Sequence, residues 1–273
     1  MPIIYLKAIV IGIVEGLTEF IPISSTGHMI LIGNIIRFTG EKAATFEVFI
    51  QMGAILAVAI IYKDRFLGLI PIANPGKRVI RRVLDGDSMP TVRHLIFAIV
   101  PFLIVGFALH KTIKGYLFNP SIVAAGLIVG GVVMILVERL PIRKTVTTID
   151  DFTLKHSFFI GLGQCFAVWP GISRSGATIV TGLLIGVKHK PVADFSFIIA
   201  VPVMCAAVGY DMFRSIGILN LTDLPVFILG FFVSFVVGWA SVKWFLRVLV
   251  TIRLIPFGIY RILLGSLALW YFH

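Results

Sequence analysis

Two short stretches hold a dense set of ionisable and hydroxyl-bearing side chains in a chain otherwise dominated by apolar residues. The first, EGLTEFIPISSTGH (Glu15–His28), carries Glu15, Glu19, Ser24, Ser25, Thr26 and His28. The second, PGISRSGAT (170–178), carries Ser173, Arg174, Ser175 and Thr178. Glu15 and Glu19 are four residues apart, so on a helix their carboxylates are neighbours on one face. Like charges at that spacing repel, and a charge at membrane depth is costly unless paired. A hard divalent cation, Mg²⁺ or Ca²⁺, resolves the repulsion because both ions prefer carboxylate and phosphate oxygens. Protonation of one glutamate, or a pairing with Lys7, resolves it too. His28, with three hydroxyls close by, reads as a catalytic imidazole; a satisfied hydrogen-bonding histidine is the plainer alternative. Arg174, flanked by serines and placed just before a half-helix, fits a phosphate receptor: a fixed charge, forked donors, and free amides at a helix N-terminus. Its plainer alternative is a tether to a carbonyl on a neighbouring helix.

The elements that must position these residues are set by composition. Of 273 residues, 58% are hydrophobic and 14% charged, and mean hydropathy is +1.02, against about half apolar and a quarter charged in soluble domains. The apolar residues fall in runs of about 18–22, the length that crosses a hydrocarbon core. The fold class is therefore an all-α polytopic membrane protein, a single transmembrane domain over 1–273. The net charge of +11 does not point to nucleic acid, because the basic residues sit in short loops between apolar runs. Residues 1–14 lack the pattern of a cleavable signal peptide. Cys165 and Cys205 lie in apolar runs without metal-ligand spacing, and no disulfide is expected.

Six stretches are long enough to span: about 44–62, 93–111, 119–138, 192–213, 224–246 and 254–272. Two further apolar regions, 3–38 and 153–188, are broken by PISSTG (22–27) and PGISRSG (170–176). Proline removes a backbone donor, and the hydroxyls offer the backbone other partners, so each region reads as a re-entrant helix–loop–helix hairpin. Such loops are tolerated at depth only when shielded by protein or lining a wet cavity. With hairpins, sixteen lysines and arginines fall on one side and six on the other, with Arg174 and Arg261 completing the 24. The rich side should be cytoplasmic, leaving both termini outside. Treating both broken regions as spans scrambles that bias. The stretch GKRVIRRVL (76–84) reads as an amphipathic basic segment on the anionic leaflet, or as a solvated loop.

At an offset of 149, residues 12–58 overlay 161–207 without a gap, ISSTG lying over ISRSG and ATFEVFIQ over ADFSFIIA. An odd number of spans separates the copies, so they are expected to be inverted: repeat one over about 3–62, completed by 93–138, and repeat two over about 153–213, completed by 224–272. Inverted repeats with broken helices bring their tips together near the midplane, where binding sites form. The copies differ where chemistry is expected. Glu15, Glu19 and His28 face Gln164, Val168 and Ala177, while Arg174 stands opposite Ser25. One half brings acids and an imidazole; the other brings the guanidinium.

The two motifs resemble the signatures of the bacterial undecaprenyl-diphosphate phosphatases of the bacitracin-resistance type. The resemblance runs over essentially the whole chain, including FEVFIQMGAILAV (46–58) and LIPFGIYR (254–261). It implies hydrolysis of the C55 polyprenyl diphosphate to the monophosphate carrier lipid and phosphate. It also implies a divalent metal, recycling of the carrier for peptidoglycan synthesis, bacitracin resistance, and a site opening to the outer, periplasmic face of the bacterial cytoplasmic (inner) membrane. On that reading Glu15 and Glu19 are the metal ligands, and Arg174 stabilises the transferring phosphoryl group. Ser173, Ser175, Thr26 and Thr178 are phosphate donors. Ser25 is the preferred nucleophile with His28 as base; direct attack by His28 and attack by a metal-bound water remain open. The prenyl tail needs an apolar groove open to lipid. A homodimer is one arrangement the sequence allows.

The best rival is a polyprenyl-phosphate flippase or transporter, since inverted repeats and broken helices are transporter features. An intramembrane serine protease is weaker, because it leaves two clustered glutamates and an arginine without a task.

Overall fold

The computed structural model describes residues 2–69, 90–112 and 119–272; the 76–84 segment lies outside them. Eleven α-helices occur among the described residues: α1 (Pro2–Thr18), α2 (Ser25–Ile35), α3 (Glu41–Ile61), α4 (Lys63–Gly68), α5 (Val92–Thr112), α6 (Pro120–Arg139), α7 (Leu154–Gln164), α8 (Arg174–Leu184), α9 (His189–Ser215), α10 (Leu224–Ile252) and α11 (Ile255–Phe272). Six stretches are long and apolar enough to cross a membrane: Glu41–Ile61, Val92–Leu109, Pro120–Arg139, His189–Ser215, Leu221–Leu249 and Ile255–Phe272. Each overlaps one of the six expected spans. α9 and α10 run past the expected ends because charged residues such as Lys190 and Arg247 continue a helix that an apolar window cuts short.

The two broken regions are helix–break–helix pairs. At about 1.5 Å per residue, α2, α7 and α8, each of 11 residues, cannot cross ~30 Å of hydrocarbon. The break after α1 starts at Glu19, three residues before the proline, and ends earlier than the motif implies. Ser25, Thr26 and Gly27 already belong to α2, as Ser175 and Gly176 belong to α8. Ser24 and Ser173, the residues just before α2 and α8, both adopt φ 71°, a left-handed conformation costing of order 1–3 kcal/mol in a non-glycine residue. The chain then enters each short helix. Ser173 Oγ accepts from the Gly176 amide at 3.2 Å, an ordinary N-cap. The Ser24 carbonyl instead accepts from the His28 ring at 2.8 Å.

Close backbone approaches hold the bundle together, since lipid tails give no hydrophobic drive between helices. α6 and α11 cross at Gly131 and Gly258: a methyl on either would come within 2.6 or 2.7 Å of the other's carbonyl oxygen. α1 lies against α10 where a methyl on Gly16 would sit 2.8 Å from the Gly238 amide. Aromatic residues fill the remaining volume, with Phe20, Phe195, Phe197 and Phe245 fully buried and Phe20 edge-on to Phe197. At the opposite end from the first break, the 140–152 linker is tied to the end of α8. The Thr145 amide donates to the Gly186 carbonyl at 2.8 Å, and Lys144 Nζ to Leu183 at 2.5 Å. Hydrogen bonds from the Thr148 hydroxyl and amide, then those of Thr147, hold the exposed Asp151 carboxylate below its ordinary pKa. Both cysteines are free thiols.

The α6–α11 contact gives a direct test. Gly258→Leu overpacks it and should cost about 1–3 kcal/mol, read as a lowered unfolding midpoint in detergent. An unchanged midpoint would show that the helices do not approach this closely.

Candidate functional site

The breaks that end α1 and precede α8 meet. Arg174 Nη2 lies 3.8 Å from Glu19 Oε1, with both side chains about nine-tenths buried. The guanidinium also sits 5.9 Å from the centre of the Phe20 ring. Arg174 Nη1 donates to the Ser196 carbonyl of α9 at 3.2 Å, which fixes the fork. Nη2 has no hydrogen-bond partner among the described residues and is closed off by protein. Arg174 is thus tethered to a carbonyl of a neighbouring helix, the plainer of the two readings, through one nitrogen of its fork.

Across from it, Ser25 Oγ donates to Glu19 Oε2 at 2.5 Å. A hydroxyl within hydrogen-bond reach of a carboxylate is the geometry of a nucleophile beside its base. Glu15, one helical turn back, is fully buried, and neither of its oxygens has a hydrogen-bond partner. Lys7 does not pair with it, because Lys7 Nζ donates to the Arg37 carbonyl at 2.9 Å.

His28 is placed differently from Glu19. Its Nδ1 lies 2.8 Å from the Ser24 carbonyl and its Nε2 2.7 Å from the Tyr260 hydroxyl. A carbonyl can only accept, so Nδ1 carries the proton and Nε2 accepts from Tyr260. The Tyr260 ring also stacks on the imidazole, 9° from parallel. Both ring nitrogens are therefore occupied by groups other than Ser25.

Among the remaining candidates, Ser173 Oγ and Ser175 Oγ are 3.1 Å apart. Ser175 and Thr178 are fully buried. The Thr178 hydroxyl is taken up by the Arg174 and Ser175 carbonyls and by Ser196 Oγ at 2.5 Å, so it braces Arg174's helix against α9. Thr26 is half-buried on the first turn of α2.

Four residues escaped the sequence reading. Tyr260 holds His28; Ser196 holds Arg174; Glu47, on α3, lies within electrostatic reach of Glu15; and Arg261 reaches both breaks. Two of these had a legible signal, since Ser196 overlays Glu47 at the same offset of 149 that relates the two motifs. Tyr260 and Arg261 stand together in LIPFGIYR, polar groups in an otherwise apolar span.

A protein-family description, bacitracin resistance protein BacA, matches residues 8–267. The undecaprenyl-diphosphatase of Maridesulfovibrio salexigens is 45% identical over 264 residues, covering 97% of this chain and 97% of that protein.

The His28–Tyr260 contact is measurable on its own. A double-mutant cycle with His28→Gln and Tyr260→Phe should give a coupling of about 1 kcal/mol in unfolding free energy. Additive effects would mean that the two rings do not interact.

Proposed function

The chain belongs to the bacitracin resistance protein BacA family, and from that premise we propose how its buried site works. The protein is an undecaprenyl-diphosphatase, releasing phosphate from the C55 diphosphate and leaving the monophosphate carrier lipid. One observation carries the reading of the site. Buried groups of opposite sign, the Glu15 carboxylate and Arg174 Nη2, are left without hydrogen-bond partners on either side of the Glu19–Ser25 contact. Unsatisfied charged groups at depth are costly, and a cation-bound diphosphate answers both.

The donor set fits a hard divalent ion that shares its ligands with substrate. No three His, Cys, Asp or Glu side chains form a cation cage among the described residues. Glu15 and Glu19 would therefore hold Mg²⁺ or Ca²⁺ together with phosphate oxygens and water, the common mode for Mg²⁺. Bound there, the ion would neutralise diphosphate charge.

The chain's own residues do the rest. Ser25 Oγ attacks the terminal phosphorus as its proton passes to Glu19 Oε2, and the P–O bond to the bridging oxygen breaks, releasing the prenyl monophosphate. Glu19 passes that proton to the departing monophosphate. Water then attacks the phosphoserine, and Glu19 accepts the water proton and returns it to Ser25 Oγ as the P–Oγ bond breaks and inorganic phosphate leaves. Arg174 Nη2, held by the Ser196 carbonyl, donates to the non-bridging oxygens where charge builds up. Ser173 and the amides of the first turn of α8 not taken up by its cap would donate to the same oxygens. His28, fixed by Ser24 and Tyr260, lines the site without relaying the Ser25 proton. An apolar recess of about 300 Å³, lined by Val129, Val133, Phe166, Ile172 and Val180 with Arg261 in its wall, adjoins the second break.

The two helix–break–helix pairs are re-entrant and inverted in the bilayer of the bacterial inner membrane, with both termini and the site opening outside. Matched backbone supports the repeat. Besides the paired φ of 71° at Ser24 and Ser173, positions 149 apart share a left-handed turn at Arg37 (φ 54°) and Gly186 (φ 87°). The bond from Phe38 N to the Gly33 carbonyl (2.7 Å) recurs from Val187 N to Gly182 (2.9 Å). The charge asymmetry of the loops supports the orientation.

Purified protein should release phosphate from polyprenyl diphosphate, and EDTA should abolish release. Glu19→Gln and Ser25→Ala should lower kcat by about 10²–10⁴-fold, well beyond the loss in His28→Gln. The opposite order would return the base role to His28. Mg²⁺ at about 100 times its dissociation constant should add roughly 2.7 kcal/mol to stability, and Glu15→Gln should remove that increment. A full increment in Glu15→Gln would exclude Glu15 as a ligand.

A further inference from the structure

Arg261 is the largest fully buried side chain among the described residues. It projects from α11 and spends its donors on four backbone carbonyls. Nη2 donates to Gly171 at 2.8 Å and to Gly126 at 3.2 Å; Nη1 donates to Pro22 and Nε to Leu127, each at 3.3 Å. Pro22 is three residues before Ser25, and Gly171 is three before Arg174. One guanidinium therefore binds both breaks at corresponding places and pins them to α6. No carboxylate pairs with it among the described residues.

A simple interhelix tether would need one such bond and no buried charge. The slot is also shaped for this side chain. A methyl on Gly130 of α6 would overlap Arg261 Nη2 and come within 2.7 Å of Cζ, and one on Gly176 of α8 would lie 3.1 Å from Nη1. Guanidinium is the group that can do this, since its donors diverge in a fixed plane toward acceptors on different elements. A lysine ammonium carries three donors on a single atom and cannot span the same set.

We infer that Arg261 is a positioning residue: it sets the register of the Ser25 break against the Arg174 break, so that nucleophile, base and phosphate receptor converge. The inference rests on the site proposed above. It assigns Arg261 no contact with substrate. Losing it should therefore slow the chemical step while leaving binding nearly intact, because a displacement of about 1 Å between reacting groups can cost 10²-fold in rate.

The test uses the purified full chain in detergent with polyprenyl diphosphate, rates being expressed per folded, monodisperse molecule. Arg261→Lys keeps the charge and loses the fork. Gly130→Ala keeps Arg261 and displaces it. Both should lower kcat by about 100-fold, with KM moving by less than about threefold. Wild-type kcat in either folded variant, or a KM increase with kcat preserved, would overturn the inference. So would a loss of activity accounted for by fewer folded molecules. If Arg261→Lys fails to fold, Gly130→Ala decides. The wild-type control separates the two readings: no phosphate release from it sinks the proposed site, whereas normal release with unaffected variants sinks only the role of Arg261.

Discussion

The structure depends on one constraint: two interrupted helices must meet inside an apolar bundle without stranding their backbone. Where a helix breaks at depth, no water satisfies the freed N–H and C=O groups, so protein must. Here the freed groups find partners at the meeting point. The Ser24 carbonyl takes the His28 ring, the Ser173 hydroxyl caps α8, and the carbonyls of Pro22 and Gly171 take Arg261. The left-handed φ of Ser24 and Ser173 is strain that persists only because surrounding contacts over-determine it. Once the breaks are held, Glu19 and Arg174 are opposed as a consequence.

That arrangement explains why the bundle is built on glycine contacts rather than larger interlocking side chains. The breaks can converge only if α6 lies near enough for Gly126 to face the second break, where a methyl would come within 3.2 Å of the Gly171 Cα. The Gly131–Gly258 crossing brings α11 to the same depth, and with it Arg261 and Tyr260. Two adjacent residues on one span thus serve different ends of the site. Arg261 binds the backbone of both breaks, and Tyr260 holds the Nε2 side of His28.

Much of this was legible in the sequence. Six apolar runs gave six helices within a few residues, because length and hydropathy are properties of each run alone. The interruptions were legible for the same reason, since Pro22 and Pro170 with their glycines and hydroxyls are local signals. The motif pair also foretold that Arg174 would approach the acidic group. Pairings between distant segments were not legible. Nothing local to Ser25 says that its hydroxyl turns toward Glu19, six residues back across the break, rather than toward His28, three residues on along the helix. The difference comes from the left-handed Ser24, which directs its own carbonyl at the imidazole, and from Tyr260, which is 232 residues away. Thr178 fell likewise to a distant neighbour, Ser196.

The two halves do not bring the same side chains to the place where the breaks meet. The matched positions share backbone conformation at Ser24 and Ser173 and differ in the side chains they carry. Glu15 corresponds to Gln164, Glu19 to Val168, His28 to Ala177, and Ser25 to Arg174. The second half keeps the fold of the break and contributes Arg174, which lies 3.8 Å from Glu19 of the first. At its own base the linker carrying Lys144 and Thr145 is bonded to the end of α8, and Glu138 takes His189 at 2.9 Å and the Leu254 amide at 3.2 Å. These bonds close the far end of the second pair with side chains from α6 and α9 and the backbone amide just before α11. The second pair is thus fastened at its far end, while its break holds Arg174 beside Glu19 of the first.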